Sequence, residues 1–306
     1  TADGVVNLTG VADITTAGDV TTSGFDVNYN SRTTLSGDIA VDTGAGAGTI
    51  TFANTLDATA GENLTLTAGT GDIDFDGVVG ATRLGDVLVN SVATMTADAG
   101  FNAASFEQTA GSVATTFTGA LDVTNDVTIT DGTDVTFSST VNATEISQVA
   151  GSGTTTFDGA VTTSGANGVN VTTNAIALNN TITTAGGGTV DLDADTGDLD
   201  IAAAGDISAD GAVTLSAGNG AINTAGDVTT TDDNITFSHA TVLTGNVAVS
   251  SDAGAGTITF ADTLDAAAGE NLTLTAGTGD IDFDGVVGAT RLGDVLVNSV
   301  ATMTAD

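Results

Sequence analysis

The side chains of this chain that could do chemistry are nearly all carboxylates, and the most regular of them stand at every second position. Alternate side chains of a strand point to opposite faces, so Ile73 and Phe75 would point inward and the acids around them outward. Outward rows of carboxylates attract divalent cations, and Ca²⁺ takes oxygen ligands. Calcium is therefore the candidate cofactor, either at specific sites or as a diffuse screening cation. The candidate ligands are Asp72, Asp74, Asp76, Asp280, Asp282, Asp284, Asp191, Asp193 and Asp195.

The spacing of these acids resembles calcium motifs only in part. The stretch DIDFDG at 72–77 has the DxDxDG spacing that opens an EF-hand loop, but the later Glu ligand is missing. The stretch GGTVD at 187–191 lacks the middle Gly of the nonapeptide calcium repeat. Simple strand alternation explains the same spacing, so diffuse screening remains the alternative to specific sites.

Acid–base catalysis is the second chemistry that an acidic chain allows. Two Asp side chains in a groove can hydrolyse glycosidic bonds, and some parallel β-helix proteins degrade polysaccharides in this way. The sequence contains no Lys and a single His239, which corresponds to Ser31 in the other copy of the repeat described below. Asp232 and Asp233 are adjacent in a predicted turn. We therefore expect no catalytic residue and place His239 at the surface or in a turn.

Two arginines occupy equivalent positions in a repeated stretch, GATRLGDV. Arg83 and Arg291 could provide a docking contact or a hydrogen bond to a sugar. An ion pair would explain them equally well, because each has an Asp shortly after it, Asp86 or Asp294, and further acids on neighbouring segments. We predict the ion pair, since it relieves local repulsion between acids.

Composition excludes several partners and favours strands. The chain has 306 residues, a net charge of −36, no Cys and no Pro. Such a charge repels nucleic acids and anionic membranes, so neither is an expected partner. Without Cys there is no disulfide or thiolate site, and no apolar run is long enough to span a membrane. Abundant Thr and Val with little Glu or Lys predict an almost entirely β structure.

The strongest signal is internal repetition. Residues 45–98 recur as residues 253–306 with two differences, Asn54/Asp262 and Thr59/Ala267. The long unit is therefore 208 residues, and the chain contains one unit, 1–208, and the start of the next, 209–306. We expect one continuous segment, 1–306, taken from a longer tandem array.

A shorter period lies inside the long unit. Phe117, Phe137 and Phe157 are spaced by about 20 residues, whereas Tyr29, Phe52 and Phe75 are spaced by about 23 residues. Strands of period 2 alternate with Gly-containing steps, which suit tight corners. The predicted inward ladder residues are Phe52, Phe75, Phe117, Phe137 and Phe157, and the predicted corner residues are Gly37, Gly69 and Gly77.

These periods predict the fold class. One coil of a β-helix needs two or three short strands with their turns, which matches a repeat of about 20–23 residues. We predict an all-β, right-handed parallel β-helix, or β-solenoid, with one or two inward side chains per strand. A row of antiparallel sandwiches is the alternative, but sandwiches of this size usually have larger aromatic cores and Pro-marked loops.

Several of these segments resemble known repeats. GENLTLTAGTGDIDFDGVVGATRLGDVLVNS and FEQTAGSVATTFTGAL are similar to repeats of giant bacterial surface proteins of the filamentous-haemagglutinin-like and related β-strand-repeat type. The resemblance covers essentially the whole chain. It implies secretion, a fibrous stalk at the cell surface, and roles in adhesion, aggregation or biofilm formation. It transfers no catalytic residues, and the secretion domain typical of haemagglutinins is not visible.

The predicted function is mechanical. We expect a structural repeat segment of a secreted cell-surface fibre or adhesin stalk, located outside a bacterial cell, with no direct membrane insertion. Its expected partners are adjoining repeats of the same chain or like protomers, and glycans or proteins of a cell surface. A glycan-binding module is the alternative, although Tyr29 as the sole Tyr offers little aromatic platform. A polysaccharide-degrading β-helix enzyme is the third candidate.

Overall fold

The computed structural model describes residues 1–305, which form two compact units, Thr1–Ser152 and a second that begins at Gly153. Within residues 1–305 the regular secondary structure is strand alone, and a search of these residues finds no helical membrane span. Each unit is a parallel β-solenoid, because each strand pairs in parallel with a strand about one coil further along the chain. The predicted β-solenoid is thereby confirmed, and antiparallel sandwiches are excluded for both units. The units divide at 152/153, whereas the sequence repeat divides at 208/209.

The first unit consists of short strands with one long exception, β11. Its strands are β1 (Val6–Leu8), β2 (Ile14–Thr16), β3 (Val20–Thr21), β4 (Val27–Tyr29), β5 (Thr33–Leu35), β6 (Ile39–Asp42), β7 (Ile50–Phe52), β8 (Leu56–Ala58), β9 (Leu64–Thr67), β10 (Ile73–Phe75), β11 (Val79–Ala97), β12 (Phe101–Gln108), β13 (Gly111–Phe117), β14 (Leu121–Val123), β15 (Asp126–Ile129), β16 (Asp134–Phe137), β17 (Val141–Ala143) and β18 (Glu145–Gln148).

The second unit contains only short strands. They are β19 (Thr154–Phe157), β20 (Val161–Thr163), β21 (Val169–Thr173), β22 (Ala175–Leu178), β23 (Ile182–Thr184), β24 (Val190–Ala194), β25 (Leu199–Ile201), β26 (Ile207–Ala209), β27 (Val213–Ala217), β28 (Ile222–Thr224), β29 (Val228–Thr230), β30 (Ile235–Phe237), β31 (Thr241–Leu243), β32 (Val247–Ser250), β33 (Ile258–Phe260), β34 (Leu264–Ala266), β35 (Leu272–Thr275), β36 (Ile281–Phe283), β37 (Val295–Ser299) and β38 (Met303–Ala305).

Three ladders of parallel strands run through each unit. In the first unit they are β1–β4–β7–β10–β11–β13–β16, β2–β5–β8–β11–β12–β14–β17 and β3–β6–β9–β11–β12–β15–β18. In the second unit they are β19–β22–β25–β28–β31–β34, β20–β23–β26–β29–β32–β35–β37 and β21–β24–β27–β30–β33–β36–β38.

Alternation along the strands separates an inner from an outer face. In β7, Ile50 and Phe52 are buried and Thr51 between them is partly exposed. The same alternation buries Val190 and Leu192 in β24. The core is therefore a slender column of Val, Ile, Leu, Phe and Ala side chains. Burying one large apolar side chain stabilises the fold by about 1.5–3 kcal/mol.

Aromatic rings stack along the first ladder of the first unit. Tyr29 stacks on Phe52 with ring centroids 4.7 Å apart, and Phe52 stacks on Phe75 at 5.3 Å. In the second unit Phe157 lies in register with Leu178 of β22. All of the sequence-predicted ladder residues are buried, namely Phe52, Phe75, Phe117, Phe137 and Phe157.

Coil length varies more than the sequence predicted. Asp126 is in register with Glu145 in a short coil, whereas Ile39 is in register with Leu64 in a markedly longer one. The additional residues lie in the corners between strands. One such loop follows Thr43, whose hydroxyl donates to the Gly48 carbonyl at 2.9 Å.

Glycine is required where one coil passes close to the next. Gly69 has φ of 61°, and a Cβ there would lie 2.4 Å from the Gly44 carbonyl oxygen of the preceding coil. At Gly77 a Cβ would lie 2.6 Å from the Thr55 nitrogen. Both corners therefore tolerate no side chain, because neither backbone can retreat without disturbing a ladder.

Candidate functional site

The first acidic row lies on the outer face between hydroxyl groups. Asp74 is in register with Thr51 on one neighbouring coil and Thr96 on the other, and the Thr96 hydroxyl donates to Asp74 Oδ1 at 2.9 Å. Asp72 Oδ1 accepts from the Thr94 amide at 3.0 Å, and Asp76 is exposed. The neighbouring coils thus place Thr, and not a second carboxylate, at the register of Asp74.

The other two rows have the same organisation. Asp282 is in register with Thr259 and Thr304, and the Thr304 hydroxyl donates to its carboxylate. Asp280 is partly exposed and Asp284 is exposed. In this row too, the residues in register with the central carboxylate carry hydroxyl groups.

In the third row, Asp191 stands between Asn170 and Thr214. Asp193 stands between Thr172 and Ser216, and Asp195, just beyond β24, is exposed. The neighbouring coils place neutral residues in register with Asp191 and Asp193. Electrostatic repulsion therefore acts mainly between the acids of one strand.

Partial burial perturbs two of these carboxyls. Burial raises the pKa of Asp74, and the charges of Asp72, Asp76 and Asp98 raise it further, while the Thr96 hydroxyl opposes both effects. Burial also raises the pKa of Asp191, with a smaller contribution from Asp193. The protein therefore holds both carboxylates in an environment less favourable to charge than water.

The acidic rows do not converge into a chelating cluster. Within the part of the chain that the structure describes, no three acidic or His side chains come together in a way that could hold a metal ion. The ladder neighbours of Asp74, Asp282, Asp191 and Asp193 are Thr, Asn or Ser. The geometry suits diffuse attraction of cations to single carboxylates.

Many other acidic and amide side chains have a role that the sequence reading missed. Their oxygens accept a hydrogen bond from a backbone amide of the following coil. In this way they satisfy polar groups of the main chain. The acceptor–donor pairs include Asp19–Ala40, Asp26–Thr49, Asp38–Asn63, Asp57–Thr82, Asp198–Ala221, Asp206–Asp227, Asp227–Ala248 and Asn234–Thr257. Recurrence of Asp or Asn near strand starts was the signal that could have revealed them.

Arg83 joins its own coil to the two coils that follow. Its guanidinium donates to the Ala103 carbonyl at 2.9 Å and pairs with the Asp122 carboxylate at 2.7 Å. The predicted ion pair exists, with a partner on a neighbouring segment and not with Asp86. Among residues 1–305 the equivalent Arg291 side chain has no such partner and is exposed.

The aromatic residues offer no extended platform for sugars. Tyr29 is completely buried, and its hydroxyl has no hydrogen-bond partner within the described chain. Burial, with a contribution from the charge of Asp19, raises the pKa of Tyr29 to about 12. Phe25 is the aromatic side chain with substantial exposure, at 42%.

The residues considered for catalysis are all at least partly exposed. His239 is partly exposed, and its Nδ1 accepts a hydrogen bond from the Ala217 amide at 3.2 Å. Asp232 lies in a bend with φ of 66°, and Asp233 directly follows it. The Asp233 carbonyl accepts from the Thr230 hydroxyl at 2.5 Å, which closes this turn.

A groove of about 350 Å³ follows one corner of the first unit. Ser91 Oγ accepts from the Gly69 amide at 3.1 Å, and the Thr133 hydroxyl donates to the Gly111 carbonyl at 3.4 Å. The lining contains one acid, Asp131. Hydroxyl groups recur along the groove once per coil, at Thr70, Ser91, Ser112, Thr133 and Ser152.

The fold and these surfaces define a class, a tandem-repeat protein of parallel β-solenoid architecture with an acidic exterior. Comparisons with protein-family models, with curated proteins and with solved structures find no match to this chain.

Proposed function

We propose that this chain is a structural repeat segment of a secreted fibre or adhesin stalk at a bacterial cell surface. Its work is to extend, space or display what adjoins it, and its principal partners are neighbouring repeats. The proposal assigns it no catalytic residue. It rests on the resemblance of the repeats to filamentous-haemagglutinin-like surface proteins and on the architecture described above.

One observation carries the proposal most directly. The repeated sequence forms matching coils in both copies: Ile50–Phe52 corresponds to Ile258–Phe260, and Leu64–Thr67 to Leu272–Thr275. Each coil pairs only with its neighbours, so coils can be added without a new core. An architecture that is extended by adding coils suits a protein segment that acts as a spacer.

A comparison of chains of different length tests the spacing role. Chains with one and with two copies of residues 1–208 would be measured by small-angle X-ray scattering. We expect the maximum dimension to grow by about 4.8 Å per added coil, the spacing between paired strands. Growth in cross-section at constant maximum dimension would contradict a spacer.

Location needs a separate experiment. Antibodies raised against this chain should label the outside of intact cells that produce it, and protease added to those cells should remove the label. Labelling only after the cells are opened would overturn the assignment to the cell surface. It would not affect the spacer role, which the scattering experiment tests separately.

The hydroxyl-lined groove supports a second function, the binding of a neutral glycan. Hydroxyl groups spaced by one coil, about 4.8 Å, present donors and acceptors to an extended polyol that lies along the ladder direction. The surrounding negative charge disfavours acidic glycans. The shortage of exposed aromatic rings argues for weak binding.

Titration calorimetry with neutral linear oligosaccharides tests this second function. We expect measurable binding that weakens at least about fivefold when Ser112→Ala and Thr133→Val are combined, since two hydroxyl contacts are lost. Thr183→Val, at an exposed hydroxyl of the second unit, is the matched control. Equal weakening in the control, or no heat with any oligosaccharide, would exclude glycan binding in the groove.

A further inference from the structure

The two copies of the long repeat differ in a coordinated way at one corner. In the first copy Arg32 pairs with Asp13, with Nε and Oδ1 3.4 Å apart. The equivalent residues of the second copy are Ala240 and Ala221, so both members of the ion pair are replaced together. The second copy thereby lacks, at this corner, the permanent cation that Arg provides.

The residue before this position links two coils in both copies. Ser31 Oγ accepts a hydrogen bond from the Gly10 amide at 3.2 Å and donates to the Gly10 carbonyl at 3.1 Å. His239 takes this position in the second copy, and its Nδ1 accepts from the Ala217 amide at 3.2 Å. Both side chains therefore hold the preceding coil, but only an imidazole changes its charge between about pH 5 and pH 8.

The bond to Ala217 determines the protonation state of the imidazole ring. A backbone N–H can only donate, so Nδ1 of His239 is unprotonated and the neutral ring carries its hydrogen on Nε2. A second proton would place an N–H on Nδ1, directly opposite the Ala217 N–H. Two donors cannot bond to each other, so protonation must break this link between the coils.

An acid lies opposite His239 on the following coil. Strand β30 is in register with β33, and β31 is in register with β34. Counting from either pair of strands places Asp262 opposite His239. The first copy has Asn54 at this position, so Ser occurs with an amide in one copy and His with a carboxylate in the other. Asp262 is exposed, and its Oδ1 accepts from the Thr263 amide at 2.7 Å.

The other charged groups around this corner are all acidic. The preceding coil has no titratable side chain between Val213 and Ala221, and β30 and β31 have none. By register, Asp262 is therefore the acid next to the ring on the adjoining coils. The further acids are Asp198, which accepts from the Ala221 amide, Asp232 and Asp233 before β30, Asp265 in β34, and Asp284 one coil beyond Asp262.

We propose that His239 is a pH-sensitive switch between two coils of the second unit. The neutral ring bonds to the Ala217 amide of the coil before it. The imidazolium releases that amide and pairs with the Asp262 carboxylate of the coil after it. The first copy, with Ser31 and Asn54 at these positions, has no group there that titrates in the same range. This switch goes beyond the proposed spacer role and does not depend on it.

The single His of the chain makes the switch measurable. Nuclear magnetic resonance of the chain with ¹⁵N-labelled His and Ala, titrated from about pH 8 to about pH 5, follows the ring and the Ala217 amide separately. As the ring gains its proton, we expect the protection of the Ala217 amide to fall about fivefold or more relative to its intrinsic exchange rate, because one hydrogen bond is lost. Nuclear Overhauser contacts of the ring should move from Ala217 to the residues around Asp262.

His239→Asn is the matched control, because its Oδ1 can accept from the Ala217 amide and does not titrate. We expect the protection of Ala217 in this variant to be independent of pH over the same range. His239→Ser, which carries the residue of the first copy, should behave in the same way and replaces the control if Asn is not tolerated.

Asp262→Asn separates the two steps of the switch. Protection of Ala217 should still be lost on protonation, whereas the ring contacts to the following coil should not appear. Constant protection of Ala217 through the titration of the wild-type ring would overturn the proposal, as would an equal loss in His239→Asn. Ring contacts to the following coil that persist in Asp262→Asn would reject the ion pair.

Discussion

Phe101 packs edge-on against Phe75, with ring centroids 5.4 Å apart and the ring planes at 85°. It occupies space that the aromatic ladder leaves open, because the residue in register with both Phe75 and Phe117 is Ala97. Phe101 also lies edge-on to Phe117 at 5.6 Å. A residue from a neighbouring ladder thus fills the gap, and the column of rings continues.

Phe101→Ala should be among the most destabilising single changes in the first unit. It removes a completely buried ring and leaves a cavity, so we expect a loss of about 3–5 kcal/mol in the free energy of unfolding. Denaturant unfolding would measure it. The control is Phe25→Ala, where the ring is 42% exposed and a much smaller loss is expected. Equal losses in the two variants would contradict the gap-filling role.

Arg83 should contribute more to stability than the other paired arginine. Arg83→Ala removes bonds to two further coils, and we expect a loss of about 1–2 kcal/mol, limited because the side chain is 35% exposed. Arg83→Lys should recover little of this, since Lys lacks the planar fork. Arg32 pairs with Asp13 at 3.4 Å in a more exposed setting, so Arg32→Ala should cost less than about 0.5 kcal/mol. Thermal unfolding of the three variants would compare them, and a larger effect at Arg32 would refute the assignment.

Asp74→Asn should raise stability at neutral pH. Burial, followed by neighbouring acids, raises the folded-state pKa of Asp74 above its ordinary value of 3.8. The neutral acid is therefore favoured in the fold, and its stabilising contribution is present below pH 3.8 and lost as the pH rises through the raised pKa. Asn keeps an oxygen for the Thr96 hydroxyl without the charge.

This prediction is checked by measuring the melting temperatures of the wild type and Asp74→Asn between pH 3 and pH 7. The variant should melt higher at pH 7, and the difference should shrink as the pH falls. Asp98→Asn removes one of the charges that act on Asp74 and should give a smaller gain. A variant that melts lower than the wild type at pH 7 would be inconsistent with an unfavourable burial of charge.

Divalent cations should raise the melting temperature without selectivity. The net charge is −36, and the rows at Asp72, Asp191 and Asp280 place single carboxylates among hydroxyl groups. We expect millimolar Ca²⁺ to stabilise the chain relative to EDTA, and Mg²⁺ at the same concentration to act similarly, because screening depends on charge and not on a coordination geometry. Identical melting in EDTA and in Ca²⁺ would remove the cation hypothesis. An effect confined to Ca²⁺ would instead favour specific sites.

The repeat made the fold predictable from the sequence. The contacts on the outer surfaces could not be predicted in the same way. The long repeat, the short period inside it and the alternation of Ile73, Asp74 and Phe75 are local properties of the chain, and they were sufficient to predict stacked parallel coils. The full range of coil length was missed because corner loops such as the one after Thr43 adjust without a regular pattern.

The sequence by itself determined which residues alternate, which repeat, and hence that coils with a slender apolar core would form. Only the tertiary structure decided which side chains meet across coils: Asp74 with Thr96, Arg83 with Asp122, and Phe101 with Phe75. The reason is that cross-coil register depends on how many residues each corner takes up, and this number varies from coil to coil without a regular pattern in the sequence.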